Sequence, residues 1–172
     1  MINMGKYDKN FGKVYNKKEG RYETDAEQKR RMYSFSRAMK VSEKAEMYEK
    51  AGKKKESEDA YMKAGKAFEN TGDFWDAAKM YNKGRLTRRK AYEIAGKGYE
   101  NRGDFNDAAN MYQKAGMKKE ACIAEGRAYE NYKQYWDAAR MYRKSGTKEG
   151  EIMAEKLKEK IEENRKKIKW QG

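Results

Sequence analysis

Apolar side chains recur at a fixed helical spacing along the middle of this chain. Phe74, Ala77, Ala78 and Tyr81 stand at i, i+3, i+4 and i+7, one face of an α-helix. The same set returns at Phe105, Ala108, Ala109 and Tyr112, then at Tyr135, Ala138, Ala139 and Tyr142, with offsets of 31 and 30 residues. The stretches before them match as well: Gly65 to Asn70, Gly96 to Asn101 and Gly126 to Asn131. A fainter copy lies upstream, where Ala45 to Gly52 resembles the later Ala-x-Met-Tyr-x-Lys runs and Phe35 falls in register with Phe68, Tyr99 and Tyr129. Each copy predicts two helices, neither of which can bury its apolar face alone, so neighbouring copies must share a core.

The punctuation agrees with that division. Thr24-x-x-Glu27 is a capping box that opens the first helix. Asp73 and Asp104 stand where an N-cap should accept bonds from free backbone N–H groups. Gly52, Gly84, Gly116 and Gly146 follow the second helices, where a left-handed C-cap is wanted. The recurring aromatics (Phe68, Tyr99, Tyr129, Phe74, Phe105, Tyr135, Tyr81, Tyr112 and Tyr142) are predicted core, as is the ladder Met47, Met80, Met111 and Met141. Trp75 and Trp136 occupy a position expected to be partly exposed.

The motif Gly65-x-x-Phe68-x-x-x-Gly72-x-Phe74-x-x-Ala77-x-x-x-Tyr81, repeated twice more, resembles the tetratricopeptide (TPR) consensus over about residues 25–146. The period is 30–31 rather than about 34, and the proline that closes each repeat in that family is missing. The Lys-Ala-Gly endings are similar to those of the soluble NSF attachment proteins. The resemblance implies an all-α, right-handed superhelix of about four helix-turn-helix repeats, near 24–52, 55–84, 87–116 and 118–146. It also implies a protein–protein interaction adaptor or scaffold whose first helices line a concave groove. Residues 148–172 supply a polar helix and basic tail, with an apolar stripe of Ile152, Ala154, Leu157, Ile161 and Ile168 suited to capping the last repeat. Residues 1–23 show no helical period and read as a flexible basic segment.

Composition narrows the chemistry. The 172 residues suggest one domain. Only 37% are apolar and 41% are charged, which suits a thin, drawn-out core better than a sphere. Proline is absent, as long helices favour. Histidine is absent too, so no Ser–His or Cys–His pair and no histidine zinc site can form. Cys122, the one cysteine, reads as a buried small hydrophobe, and without a second one a disulfide framework is excluded. Gly96-Lys97-Gly98 falls inside a predicted helix rather than in a phosphate loop. The chain therefore reads as a non-enzyme that needs no cofactor. No apolar run approaches the ~20 residues of a membrane span, and the first residues lack a signal-peptide core. The expected location is the cytoplasm.

The net charge of +14 favours acidic partners. The leading candidate site is a ladder on the first helices: Lys66, Lys97 and Arg127, each followed four residues later by Asn70, Asn101 and Asn131. That spacing puts each pair on one helical face, where cationic and amide donors could hold an acidic peptide or a terminal carboxylate. Glu69, Glu100 and Glu130 sit beside the asparagines and offset some of that charge. The alternative is nucleic acid, RNA above all. It would be bound through the basic turn that holds Arg85, Arg88, Arg89 and Lys90, helped by Lys29 to Arg37 and by Asn164 to Trp170. A third reading is self-assembly through an uncapped repeat end.

Overall fold

The computed structural model describes residues 15–16 and 20–169. Apart from a two-residue antiparallel ladder, β1 (Tyr15–Asn16) with β2 (Arg21–Tyr22), the described chain is helical. The helices are α1 (Asp25–Lys50), α2 (Lys54–Thr71), α3 (Phe74–Lys83), α4 (Arg88–Arg102), α5 (Phe105–Lys114), α6 (Lys118–Asn131), α7 (Tyr135–Lys144), α8 (Lys148–Lys156) and α9 (Lys158–Lys169). They group into two compact units, residues 1–85 and 86–172, where the length alone had suggested one domain.

In the first unit α1 packs on α2 and α2 on α3. The capping box is present: the Thr24 hydroxyl accepts from the Glu27 N–H, and the Glu27 carboxylate accepts from the Thr24 N–H. Arg21 grips the same carboxylate with two bonds of 2.9 and 3.0 Å and holds it well below the usual carboxylate range. Ala38, Ser42 and Ala45 form the buried stripe of α1, and the Phe35 ring meets Phe68 edge-on at 5.6 Å.

The first copy is not a hairpin. α1 runs unbroken for 26 residues through the place where a turn was expected. The register explains this: Met39 and Lys40 stand where later copies have Gly72-Asp73 and Gly103-Asp104, so nothing there can adopt a left-handed cap cheaply. Three hairpins remain, α2/α3, α4/α5 and α6/α7, in place of about four. The same departure exposes Met47, at 70%, whereas Met111 and Met141 are buried and Met80 is half-buried.

In the second unit each of α4 to α8 packs on the next, and α9 touches α7 and α8. The core passes through Ala108, Ala109, Tyr112, Ala121 and Ala124, then through Ile123, Ala138, Ala139 and Tyr142, and ends on Ala154, Leu157 and Ile161. The C-terminal stripe thus covers the last hairpin as expected, except that Ile152 is exposed. The Ile168 side chain lies outside the described residues. The capping segment is two helices, divided at Leu157.

Four further expectations need correction. Of the nine aromatics expected in the core, Phe68, Tyr81, Tyr112 and Tyr142 are buried, while Phe74, Tyr99, Phe105, Tyr129 and Tyr135 are half-buried. Asp73 and Asp104 occupy N-cap positions but make no side-chain cap bond. Instead Asp73 accepts from Thr71 at 2.5 Å, and Asp104 accepts from Arg102. Gly52, Gly116 and Gly146 are left-handed caps, but Gly84 has a φ of −76° and is small because Met62 lies against it. Cys122 is half-buried rather than buried. Among the described residues no helix is long and apolar enough to cross a membrane.

Candidate functional site

Each hairpin carries the same internal device. A glycine on its first helix lets the tyrosine ring of its second helix lie against the backbone: Gly65 with Tyr81, Gly96 with Tyr112, Gly126 with Tyr142. A Cβ at Gly65 or Gly96 would fall 2.6 or 2.7 Å from the ring. Four residues after each glycine, a glutamate accepts a hydrogen bond from the tyrosine hydroxyl: Tyr81 to Glu69 at 2.5 Å, Tyr112 to Glu100 at 2.6 Å, Tyr142 to Glu130 at 3.0 Å. Tyr61 makes the corresponding bond to Glu49 across α2 and α1.

The second oxygen of each hairpin glutamate takes a cation from a different source. Glu69 takes Lys66 of its own helix at 3.0 Å. Glu100 takes Arg127, and Glu130 takes Lys160 of α9 at 3.0 Å. These glutamates are therefore bound within the fold. Sequence reasoning had seen them only as charges beside the asparagines.

Burial, then the neighbouring carboxylate, raises all four tyrosines well above the usual phenol range. A raised folded value means stability is present below the unfolded pKa and is lost as pH rises past it. Urea midpoints measured from about pH 8 to about pH 11 should therefore hold steady and then fall steeply above about pH 10. A Tyr112→Phe variant should start lower and fall less.

The six ladder residues are not equivalent. Lys66 and Asn70 are exposed in the first unit. Lys97 and Asn101 are exposed on α4, and Lys97 is paired with Glu93 at 2.6 Å. Arg127 is half-buried on α6. One arm meets Glu100, the other reaches Glu149 at 3.3 Å, and the guanidinium stands 6.0 Å from the Phe105 ring. It separates two cavities of the second unit. The first, about 320 Å³, is lined by Lys97, Lys119 and Arg127 against Glu100, Glu120 and Glu149, so its charges balance. The second, about 530 Å³, sets Arg127, Lys133 and Lys160 against the single carboxylate of Glu130, with Asn131 at its edge and Phe105, Tyr135 and Met153 as apolar lining. Arg127 and Asn131 are thus brought to one cationic cleft. Lys133 and Lys160 join them without having been singled out in the sequence.

Lys133 is the only described non-glycine residue with positive φ, at 59°, and it occupies the place of Gly72 and Gly103. A lysine in a glycine position was the available signal.

The basic turn is largely engaged within the fold. Arg85 pairs with Asp59 in the first unit. In the second unit Arg88 stands 5.8 Å from the Tyr92 ring, Lys90 pairs with Glu93 at 3.2 Å, and Arg89 is exposed. Upstream, Arg31 pairs with Glu23 at 2.8 Å, and near the C-terminus Arg165 lies 4.7 Å from the Trp136 ring. Trp136 is exposed, as expected, and Trp75 is half-buried. Among the described residues no group of three or more candidate ligands could hold a metal ion.

No protein-family model matches the sequence, and no curated protein or solved structure matches it either. The internal copies are therefore the best reference for what each position does.

Proposed function

We propose that this chain is a TPR-like repeat protein, built as a short-period variant of that right-handed superhelical design, and that it acts as an adaptor holding an acidic segment of a partner protein. The observation that carries this reading is the 530 Å³ cleft, where Lys160 offsets Glu130, Lys133 is left in excess, and Arg127, held by Glu100 and Glu149, forms the wall beside an apolar lining. Charge-assisted bonds from Arg127, Asn131, Lys133 and Lys160 would take carboxylates, and Phe105, Tyr135 and Met153 would take an apolar side chain between them. The reading narrows the sequence ladder to its third rung. Lys97 borders a cavity whose charges balance, and Lys66 with Asn70 belongs to the other unit.

The test is fluorescence anisotropy with a labelled peptide of alternating glutamate and leucine. Lys133→Glu with Asn131→Asp should weaken binding at least tenfold, because both side chains are exposed and the pair of changes turns a cation and a neutral donor into two carboxylates. Reversing Arg85, Arg88, Arg89 and Lys90 together should leave it unchanged. Salt should weaken the peptide less steeply than the log-linear loss expected of phosphate binding. The reading fails if the cleft variant binds like the parent. It also fails if single-stranded RNA binds more tightly and is lost on reversal of the basic turn.

A further inference from the structure

Three copies of one hairpin separate what the fold requires from what it merely allows. In register, Ala64 and Ala95 are followed by Glu125, Thr71 and Arg102 by Tyr132, and Asp73 and Asp104 by Gln134. The first two copies bury the alanine almost completely, and the third puts a carboxylate there. These departures gather at one cavity of about 190 Å³ in the second unit, whose lining includes Asn106, Glu125, Tyr129, Tyr132 and Gln134. Tyr132 is 66% exposed, a large aromatic where the other copies carry a polar side chain. Its hydroxyl accepts from the Asn106 amide at 3.4 Å, which ties the ring to the rim.

The preceding hairpin shows what belongs in such a place. There the guanidinium of Arg102 lies 5.1 Å from the ring of Tyr99 and pairs with Asp104. Tyr129 is the counterpart of Tyr99, yet among the described residues no cation stands over its ring. The residue that would have supplied one has become Tyr132, a second ring. The Asp104 carboxylate has become the neutral Gln134, while Glu125 brings a carboxylate to the wall. One Glu125 oxygen accepts from Gln113 at 2.6 Å, and the other has no described partner. An aromatic ring, a second ring and a carboxylate around a small cavity are the elements of organic-cation recognition.

We propose that this cavity binds the guanidinium of an arginine side chain presented by a partner, in the position that Arg102 fills from within in the sibling hairpin. The guanidinium would stack on Tyr129, be flanked by Tyr132, and pair with the open oxygen of Glu125. The site is separate from the cationic cleft and does not depend on what that cleft binds.

The test uses N-acetyl-arginine amide and its neutral isostere N-acetyl-citrulline amide, titrated into the full chain and followed by amide chemical shifts. Arginine should give saturable shifts clustered in residues 125–134, and citrulline none. Two variants install residues the sibling copies already carry, so the fold should accept them. Glu125→Ala removes the carboxylate, and Tyr132→Arg fills the cavity from within. Each should weaken arginine binding at least tenfold while the thermal midpoint stays near that of the parent. Equal shifts from citrulline, no saturable shifts in the parent, or undiminished binding in either folded variant would overturn the proposal.

Discussion

Replacing Tyr142 by alanine should destabilise the chain by about 3–5 kcal/mol, the largest stability effect expected of any single substitution here. Tyr142 is fully buried, fills the core between α6, α7 and α8, and donates a hydrogen bond to Glu130. Truncation opens a cavity and also takes the donor from a partly buried carboxylate. Gly126→Ala should be harmful for the complementary reason: a Cβ at this position would run into the Tyr142 ring. Overpacking of this kind costs about 1–3 kcal/mol, against the roughly 1 kcal/mol that alanine gains over glycine inside a helix. The two effects depend on one contact, so they should not add. In the Tyr142→Ala background the ring is gone, and Gly126→Ala should become neutral or stabilising. Urea unfolding of the parent, both single variants and the double variant measures the coupling. A penalty for Gly126→Ala that persists without the ring would mean that glycine serves some other need there.

That contact explains which parts of the fold could be read from sequence. The helical period around Phe74 and its two counterparts, the Thr24 capping box and three of the four expected left-handed glycines all depend on neighbours within a few residues, and these are found in the structure. Some features that are just as local were misread. Asp73 and Asp104 have N-cap chemistry, but a threonine and an arginine two residues earlier compete for their carboxylates. Met47 has the right neighbours in sequence, yet it is exposed because α1 continues where a turn would have redirected it. The missing glycine at Met39 was the visible sign.

The candidate site was legible in part for the same reason. A glutamate lies twelve residues before each of the four buried tyrosines, at 49 and 61, 69 and 81, 100 and 112, and 130 and 142. That constant offset was present in the sequence, but it acquires meaning only when two antiparallel helices bring the pair together. The cations that complete the hairpin pairs come from three different places, Lys66, Arg127 and Lys160, so no single spacing predicts them. Arg127 and Asn131 could be named in advance because they stand one turn apart on one helix. Lys133 and Lys160 could not, since a loop and α9 carry them to the same cleft.

Glu149→Ala should tighten binding of the acidic peptide by about five- to tenfold. The two arms of Arg127 are held unequally. The arm toward Glu100 is fixed, because Tyr112 fastens the other oxygen of that carboxylate in a half-buried setting. The arm toward Glu149 makes a 3.3 Å bond to a side chain that is 63% exposed at the start of α8. Glu149 lines the neighbouring cavity and not the cleft, so an incoming carboxylate would draw that arm across from it and would be repelled by its charge. Removing Glu149 frees one charged donor and takes away one like charge. A hydrogen bond to a charged group is worth about 1.5–3 kcal/mol, of which an exposed partner returns only a fraction. Glu149→Gln should give a smaller gain, because the amide oxygen still occupies the arm while its negative charge is gone. Arg127→Gln should weaken binding at least tenfold and, by leaving Glu100 without its cation, should also lower the urea midpoint. If the peptide binds the parent and Arg127→Gln weakens it, but Glu149→Ala changes nothing, then Arg127 meets its ligand through the arm held by Glu100, and Glu149 is a bystander. If Glu149→Ala weakens binding instead, the carboxylate positions the guanidinium rather than competing for it.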